Sequence, residues 1–84
     1  MYNIIYKKKA VKALAKCPKD IALKFRSAFE AIATGDCQGL AIKPLEGLSG
    51  FRLRIGGYRA IYEIDNGALI VTVFNVGVRG DIYK

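Results

Sequence analysis

Two turn signals in the C-terminal half constrain this chain more than any other feature. Gly56-Gly57 follows the alternating run Phe51-Arg52-Leu53-Arg54-Ile55, and Asn66-Gly67 follows a second run from Tyr58 to Ile64. Both dipeptides suit two-residue hairpin turns, in which the chain must enter positive φ. A third run, Ala68 to Val76, completes a three-stranded meander. It is apolar on both faces, which predicts the central, most buried strand. A hairpin centred on Gly56-Gly57 pairs Ile55 with Tyr58, Arg54 with Arg59, Leu53 with Ala60 and Arg52 with Ile61. Any symmetric closure about that turn keeps residue 54 opposite residue 59. One face then holds Phe51, Leu53, Ile55, Tyr58, Ala60, Tyr62 and Ile64, a surface that packs on helices. The other holds Arg52, Arg54, Arg59 and Glu63.

Like charges placed directly opposite each other destabilise a sheet. A chain selected for stability alone would carry Glu or Thr at position 54 or 59. The plain alternative is a solvated face where guanidiniums stack and Glu63 compensates. A repulsive pair retained on one face points instead to a bound anion. Arginine suits that role, because its planar fork holds phosphate oxygens bidentately and keeps its charge. A two-residue turn at Asn66-Gly67 would place Phe74 opposite Arg59 and Thr72 opposite Ile61, whereas a bulged three-residue turn would shift that register. Phe74 then either covers the core under a loop or offers a base a surface on which to stack.

The N-terminal half reads differently. Tyr2 to Tyr6 forms a first strand. Lys7 to Lys16 is helical, with Ala10, Val11 and Leu14 on one side, and Pro18 ends it. A second helix runs to about Thr34, with Ile21, Phe25, Ala28, Phe29 and Ile32 in one apolar stripe and Gly35 as its stop. Asp36 to Gly50 reads as a loop, with Leu40, Ile42, Leu45 and Leu48 tucked beneath it. The expected fold class is α+β in the order β-α-α-β-β-β. An N-terminal helical hairpin packs on one face of a small, mainly antiparallel sheet, and residues 1–84 form a single domain.

Composition bounds the function. With 84 residues there is room for one core. Fourteen Lys and Arg against seven Asp and Glu leave a net charge of +7, which favours a polyanionic partner: nucleic acid, an acidic protein or a membrane surface. The longest apolar stretch, Ala68 to Phe74, is far short of the ~20 residues that span a bilayer. The first residues do not read as a signal peptide, since the lysines follow the short apolar run. A cytoplasmic protein with reduced Cys17 and Cys37 is expected, and neither cysteine has metal-ligand spacing. The absence of histidine removes His-based metal sites and catalytic triads, and leaves acid–base work to Tyr, Glu, Asp or Lys.

The chain ends Val76-Gly77-Val78-Arg79-Gly80-Asp81-Ile82-Tyr83-Lys84. Strand ends flanked by glycine are where a scaffold delivers functional side chains. Tyr83 either covers the core, or faces the arginines while Ile82 does the covering.

Taken together, these segments resemble the RelE/ParE superfamily of toxins from toxin–antitoxin pairs. The likeness runs through nearly the whole chain: the element order, the loop Lys43-Pro44-Leu45-Glu46-Gly47-Leu48-Ser49-Gly50, the strand Phe51 to Ile55, the Gly57-Tyr58-Arg59 step with Ile61-Tyr62, and the closing Val76 to Tyr83. The Arg79…Tyr83 ending is closer to the RelE pattern than to the ParE pattern. The resemblance implies a RelE-like, microbial-ribonuclease-like fold. It also implies an endoribonuclease that cuts mRNA in the ribosomal A site without metal or cofactor and is neutralised by an acidic antitoxin protein. In such enzymes the RNA 2′-hydroxyl attacks the adjacent phosphate. The positions that match the family's site are Arg52, Arg54, Arg59, Arg79 and Tyr83. On this reading Arg59 and Arg79 stabilise the charge of the transition state, Arg54 orients the phosphate, and Tyr83 stacks on a base or moves a proton. Lys43, Arg52, Glu63 and Phe74 are taken as RNA contacts.

Two departures from the family pattern bear on chemistry. Arg52 and Arg54 stand where relatives have lysines, and arginine is a poor general base. Val78 stands where many relatives have a histidine. Proton transfer is thereby left to Tyr83 and Glu63. The competing readings are a ParE-like inhibitor of DNA gyrase and a non-catalytic RNA- or protein-binding module.

Overall fold

The Gly56-Gly57 turn closes as its sequence requires. In the computed structural model, which describes residues 1–47 and 49–78, it joins β3 (Phe51–Ile55) to β4 (Tyr58–Asp65). Ile55 pairs with Tyr58, Arg54 with Arg59, Leu53 with Ala60 and Arg52 with Ile61. Gly56 alone of the two glycines takes positive φ, at 60°, as the first central residue of a type II′ turn does.

The rest of the chain builds on this hairpin. It supplies β1 (Asn3–Tyr6), α1 (Lys8–Lys16) and α2 (Lys19–Ala33) before it, with β2 (Ala41–Pro44) just ahead of β3 and β5 (Ile70–Val78) after β4. The five strands form one sheet in the order β1-β5-β4-β3-β2. Only the β1–β5 pairing is parallel. The α+β class and the helical hairpin against a mainly antiparallel sheet are as expected. The segment read as a loop from Asp36 to Gly50 contains one more strand, β2, at the sheet edge. Its closing residue is Pro44, which lacks an N–H and is tolerated at an edge where that group would face solvent. Because β2 adds to one side, β4 takes the middle of the sheet, and β5 is an interior strand between β1 and β4 rather than the central one.

Helix α2 ends as Gly35 predicts. Gly35 has φ 86°. Its N–H donates to the Ile32 carbonyl and the Asp36 N–H to the Ala31 carbonyl, the paired bonds of a Schellman cap. The stripe Phe25, Ala28, Phe29 and Ile32 is buried against Leu53, Ala60, Tyr62, Val71, Val73 and Val76, with Ala10 from α1 completing the core. Phe29 is the hub: its ring meets Tyr62 edge-on at 5.3 Å and Tyr6 at 6.1 Å. Burying such a ring contributes about 1.5–3 kcal/mol, with about 0.5–1.5 kcal/mol more for each well-placed aromatic pair. Leu40 and Ile42 pack at the margin of this core, as expected; Leu48 lies outside the described residues.

The second hairpin departs from expectation. Asp65 pairs with Ile70, so the connection is four residues long rather than two. The Asp65 carboxylate accepts hydrogen bonds from the N–H groups of Gly67 and Ala68, each at 3.0 Å, and Leu69 closes the loop at φ 57°. A β-bulge between Ile61 and Tyr62 then shifts the register by one more residue. Thr72 therefore faces Glu63 and not Ile61, and Arg59 faces Gly77 and not Phe74.

Candidate functional site

Among the described residues, the helices cover one face of the sheet and no element covers the other. Alternation along β3 and β4 sends Leu53, Ala60 and Tyr62 into the core, and Arg52, Arg54, Arg59 and Glu63 to the opposite side. Pairing across strands then arranges the open face in rungs. One rung reads Ala41, Arg54, Arg59, Gly77 across β2, β3, β4 and β5. The next reads Lys43, Arg52, Ile61, Asn75. The two lie two residues apart along each strand, about 7 Å.

The Arg54–Arg59 pair sits one step from a two-residue turn. Ile55 and Tyr58 form the hydrogen-bonded pair at the turn, so 54 and 59 are the non-hydrogen-bonded, closer kind, with Cα atoms ~4.5 Å apart. Arg54 is exposed and Arg59 half-buried. Glycine at 77 places no side chain beside Arg59 on the far strand. Two guanidiniums at this separation suit one tetrahedral anion, each taking a different pair of its oxygens.

The second cation pair, Lys43 opposite Arg52, could not be read from the sequence. The sequence pattern places Lys43 in a loop, where it has no cross-strand partner. The signal was the short alternation Ala41-Ile42-Lys43-Pro44, in which Ile42 pairs with the buried Leu53. The flanking Gly39 and Pro44 disguised it as a turn region. Lys43 is exposed and Arg52 half-buried.

The bulge re-aims Phe74. Two β5 residues, Phe74 and Asn75, stand against the single β4 residue Ile61. Phe74 is half-buried and lies outside the core cluster. It therefore sits beside the Arg52 rung rather than the Arg59 rung. Glu63 shares the arginine face but lies four residues along β4 from Arg59, about 13 Å. It lines a separate hollow of ≈ 400 Å³ with Ser49, Gly50 and Asn66, so it is not brought to the Arg54–Arg59 rung. Val78, at the position where many relatives have histidine, is 48% exposed and pairs with Tyr58. Arg79 and Tyr83 lie outside the described residues.

The displaced tyrosine ionisations belong to the covered face. Burial pushes the Tyr62 hydroxyl up to about 12, with a smaller push from Cys37. Burial also raises Tyr6, against a lowering influence from Arg26. Neither belongs to the cationic rungs. Among the described residues, no three His, Cys, Asp or Glu side chains gather as a metal site would require.

Over residues 4–83 the chain matches the family model of the ParE toxin of the type II toxin–antitoxin system, parDE. No curated protein matches the sequence. The fold is similar to that of the toxin–antitoxin complex RelBE2 from Mycobacterium tuberculosis, at 26% identity and a TM-score of 0.75, over 93% of this chain and 98% of that one. The RelE–RelB complex from Pyrococcus horikoshii OT3 is 27% identical with a TM-score of 0.76, over 95% of this chain and 97% of the other. The RelB–RelE complex from Methanococcus jannaschii shares the fold at 24% identity and a TM-score of 0.78, over 94% of both chains.

Proposed function

The chain belongs to the ParE toxin family of type II toxin–antitoxin systems, within the RelE/ParE superfamily, and from that premise we propose that it is an endoribonuclease that cuts mRNA in the ribosomal A site. The observation that supports this reading is the Arg54–Arg59 rung, a repulsive pair held on an open sheet face next to a second cation pair. The scissile phosphate lies on that rung. The RNA 2′ oxygen forms a bond to phosphorus as its proton leaves, the bond to the 5′ oxygen breaks, and that oxygen takes up a proton. The products are a 2′,3′-cyclic phosphate and a free 5′-hydroxyl. Charge builds on the non-bridging oxygens at the transition state, where fixed guanidiniums stabilise it most. Arg54 and Arg59 supply two of these, and Arg79 a third by its match to the family pattern.

Lys43 and Arg52, one rung away, hold the phosphate of the neighbouring nucleotide. Their ~7 Å offset from the first rung is of the order of one nucleotide step along an extended strand. Phe74 stands beside this second rung and offers a stacking surface there. Glu63 is too far along β4 to exchange a proton with a phosphate between Arg54 and Arg59. Of the two proton-transfer candidates named from sequence, Tyr83 remains. The protein antitoxin is an acidic partner that masks the cationic face. The reaction depends chiefly on positioning and charge, so a slow enzyme is expected.

The match to a ParE family model favours one other reading, inhibition of DNA gyrase through a protein interface. One experiment separates the two. Purified protein is added to programmed ribosomes and cleavage is mapped by primer extension, with gyrase-dependent DNA breaks assayed in parallel. Codon-register cuts in mRNA that disappear in Arg59→Ala, with the variant still folded, support the nuclease. Gyrase-linked breaks without mRNA cuts overturn it.

A further inference from the structure

Asn66-Gly67 signals a two-residue turn, yet the pair lies inside a four-residue connection closed by Asp65 and Ile70. Asparagine followed by glycine has a chemistry of its own. The glycine nitrogen can attack the asparagine side-chain carbonyl and close a five-membered imide ring. Glycine puts no Cβ in the way of that approach. Two things hold the reaction back in an ordinary chain. A backbone N–H is a weak nucleophile until a base takes its proton, and the attacked oxygen must carry negative charge.

Folding places a group at each of these points. The Asp65 carboxylate accepts the Gly67 N–H at 3.0 Å, within reach of the proton that must leave. The Tyr2 hydroxyl donates to Asn66 Oδ1, the atom on which the charge builds. Asp65 is next in the chain, but Tyr2 comes from 64 residues away. Its N–H donates to the Ala33 carbonyl at 2.9 Å, its ring packs at the core margin, and β1 runs beside β5 with Asn3 against Ile70. The hydroxyl is thus delivered by the sheet and not by the loop. Asn66 and Gly67 are exposed, so water reaches the ring once it has closed.

A structural role accounts for part of this arrangement. A carboxylate ahead of a turn ties down the backbone after it, and Asp65 also accepts the Ala68 N–H at 3.0 Å. The two roles predict opposite signs. Bonds that only restrain the loop slow ring closure, and their loss speeds it. Bonds that assist the chemistry speed it, and their loss slows it.

We propose that Asn66 is a self-modifying site, converted in the folded protein to Asp or isoAsp through a succinimide, with Asp65 as general base and Tyr2 as oxyanion donor. The Gly67 nitrogen forms a bond to Asn66 Cγ as its proton passes to Asp65. The oxyanion held by Tyr2 then collapses, the Cγ–Nδ2 bond breaks, and the departing amine takes the proton from Asp65 and leaves as ammonia. Water adds to one of the two imide carbonyls and opens the ring. The net change is one water taken up and one ammonia released. The chain's positive charge falls by one unit. Opening at the backbone carbonyl routes the main chain through the side-chain carbon and lengthens the loop by one atom. The site is independent of the RNA reading of the arginine face.

The test holds the intact protein at physiological pH and temperature and samples it over time. Peptide mapping by mass spectrometry reads succinimide, Asp and isoAsp at position 66, with released ammonia measured in parallel. The folded parent is compared with itself unfolded in guanidinium chloride, with Tyr2→Phe, and with Asp65→Asn, which keeps an acceptor for both loop N–H groups. Thermal unfolding checks that each variant is folded. The expected result is faster conversion in the folded parent than in the unfolded one. Each folded variant should slow it by at least about tenfold, short of the ~10²-fold that a positioned base or oxyanion donor supplies in a water-excluded site. Conversion no faster in the folded parent than in the unfolded one overturns the proposal. So does an unchanged or faster rate in either folded variant, which would make that bond a restraint. The folded-against-unfolded comparison needs no variant and decides the matter if a variant fails to fold.

Discussion

On the proposed reading, Arg54 trades stability for recognition. It is exposed, and its cross-strand neighbour is another guanidinium at close range. Arg54→Thr removes the repulsion and adds a β-branched residue that suits a strand. We expect it to raise stability by about 0.2–1 kcal/mol, measured by urea unfolding, and to weaken RNA cleavage on programmed ribosomes. A loss of stability would instead make Arg54 structural. Gly50 illustrates the opposite constraint. It sits at φ 110°, and a Cβ there would lie 2.7 Å from the Tyr62 carbonyl oxygen and 3.1 Å from the Glu63 Cγ. Its own carbonyl accepts the Leu45 N–H at 3.1 Å, tying off the β2–β3 connection. Gly50→Ala should cost at least about 1–3 kcal/mol from backbone conformation alone, read as a lower thermal midpoint. Gly47, also at positive φ, has nothing within 4 Å of its would-be Cβ, so Gly47→Ala should be milder. The sequence displays both glycines alike; only the approach of β4 separates them.

At the scale of elements, α1 carries destabilising features of its own. Its hydrophobic side contributes one fully buried residue, Ala10, and its polar side is repulsive. Lys8→Glu places a carboxylate in the first turn and turns a like-charge pair with Lys12 into an attractive one. The expected gain is about 0.5–1 kcal/mol, seen as a higher thermal midpoint that shrinks at high salt. A drop would mean that Lys8 makes a favourable contact the helix needs. The two hairpins differ in how far they could be read. Two glycines between two alternating runs leave β3–β4 one register, and that register is observed. Asn66-Gly67 carries a turn signal of the same kind, yet Asp65 extends the loop by binding two backbone N–H groups. A bulge at Phe74 then absorbs one residue more. A bulge is set by how β5 meets β4 and β1 together, so no local pattern announces it. Strand β2 was hidden for a related reason: four residues that follow a glycine closely and end on a proline become a strand only when β3 offers an edge.

For the whole molecule, the central test is the packing of helices on sheet through Phe29 and Tyr62. Tyr62 is 1% exposed, and burial raises its hydroxyl from 10.0 to about 12. The folded state therefore keeps its proton where the unfolded chain releases it. Stability from this source is full below pH 10 and is lost as pH climbs toward 12. Tyr62→Phe should flatten that alkaline decline, read as denaturation midpoint against pH, with tyrosinate absorbance reporting the ionisation. An equally steep decline in the variant would assign it to other groups, Tyr6 first.

The sequence by itself determined the features that depend on neighbours in the chain. Helix spacing, the Gly35 cap, the Gly56-Gly57 turn and the side of the sheet taken by Arg52, Arg54 and Arg59 all follow from periods of 3.6 and 2 and from local backbone limits. What only the tertiary structure decided depends on pairing between distant segments. That covers the edge strand β2, the four-residue loop and the bulge that together set Phe74 against Ile61 rather than Arg59, and the Lys43–Arg52 rung. The Asn66-Gly67 pair was legible as a turn from the start. Its place between Asp65 and Tyr2 became visible only once β1 had come alongside β5.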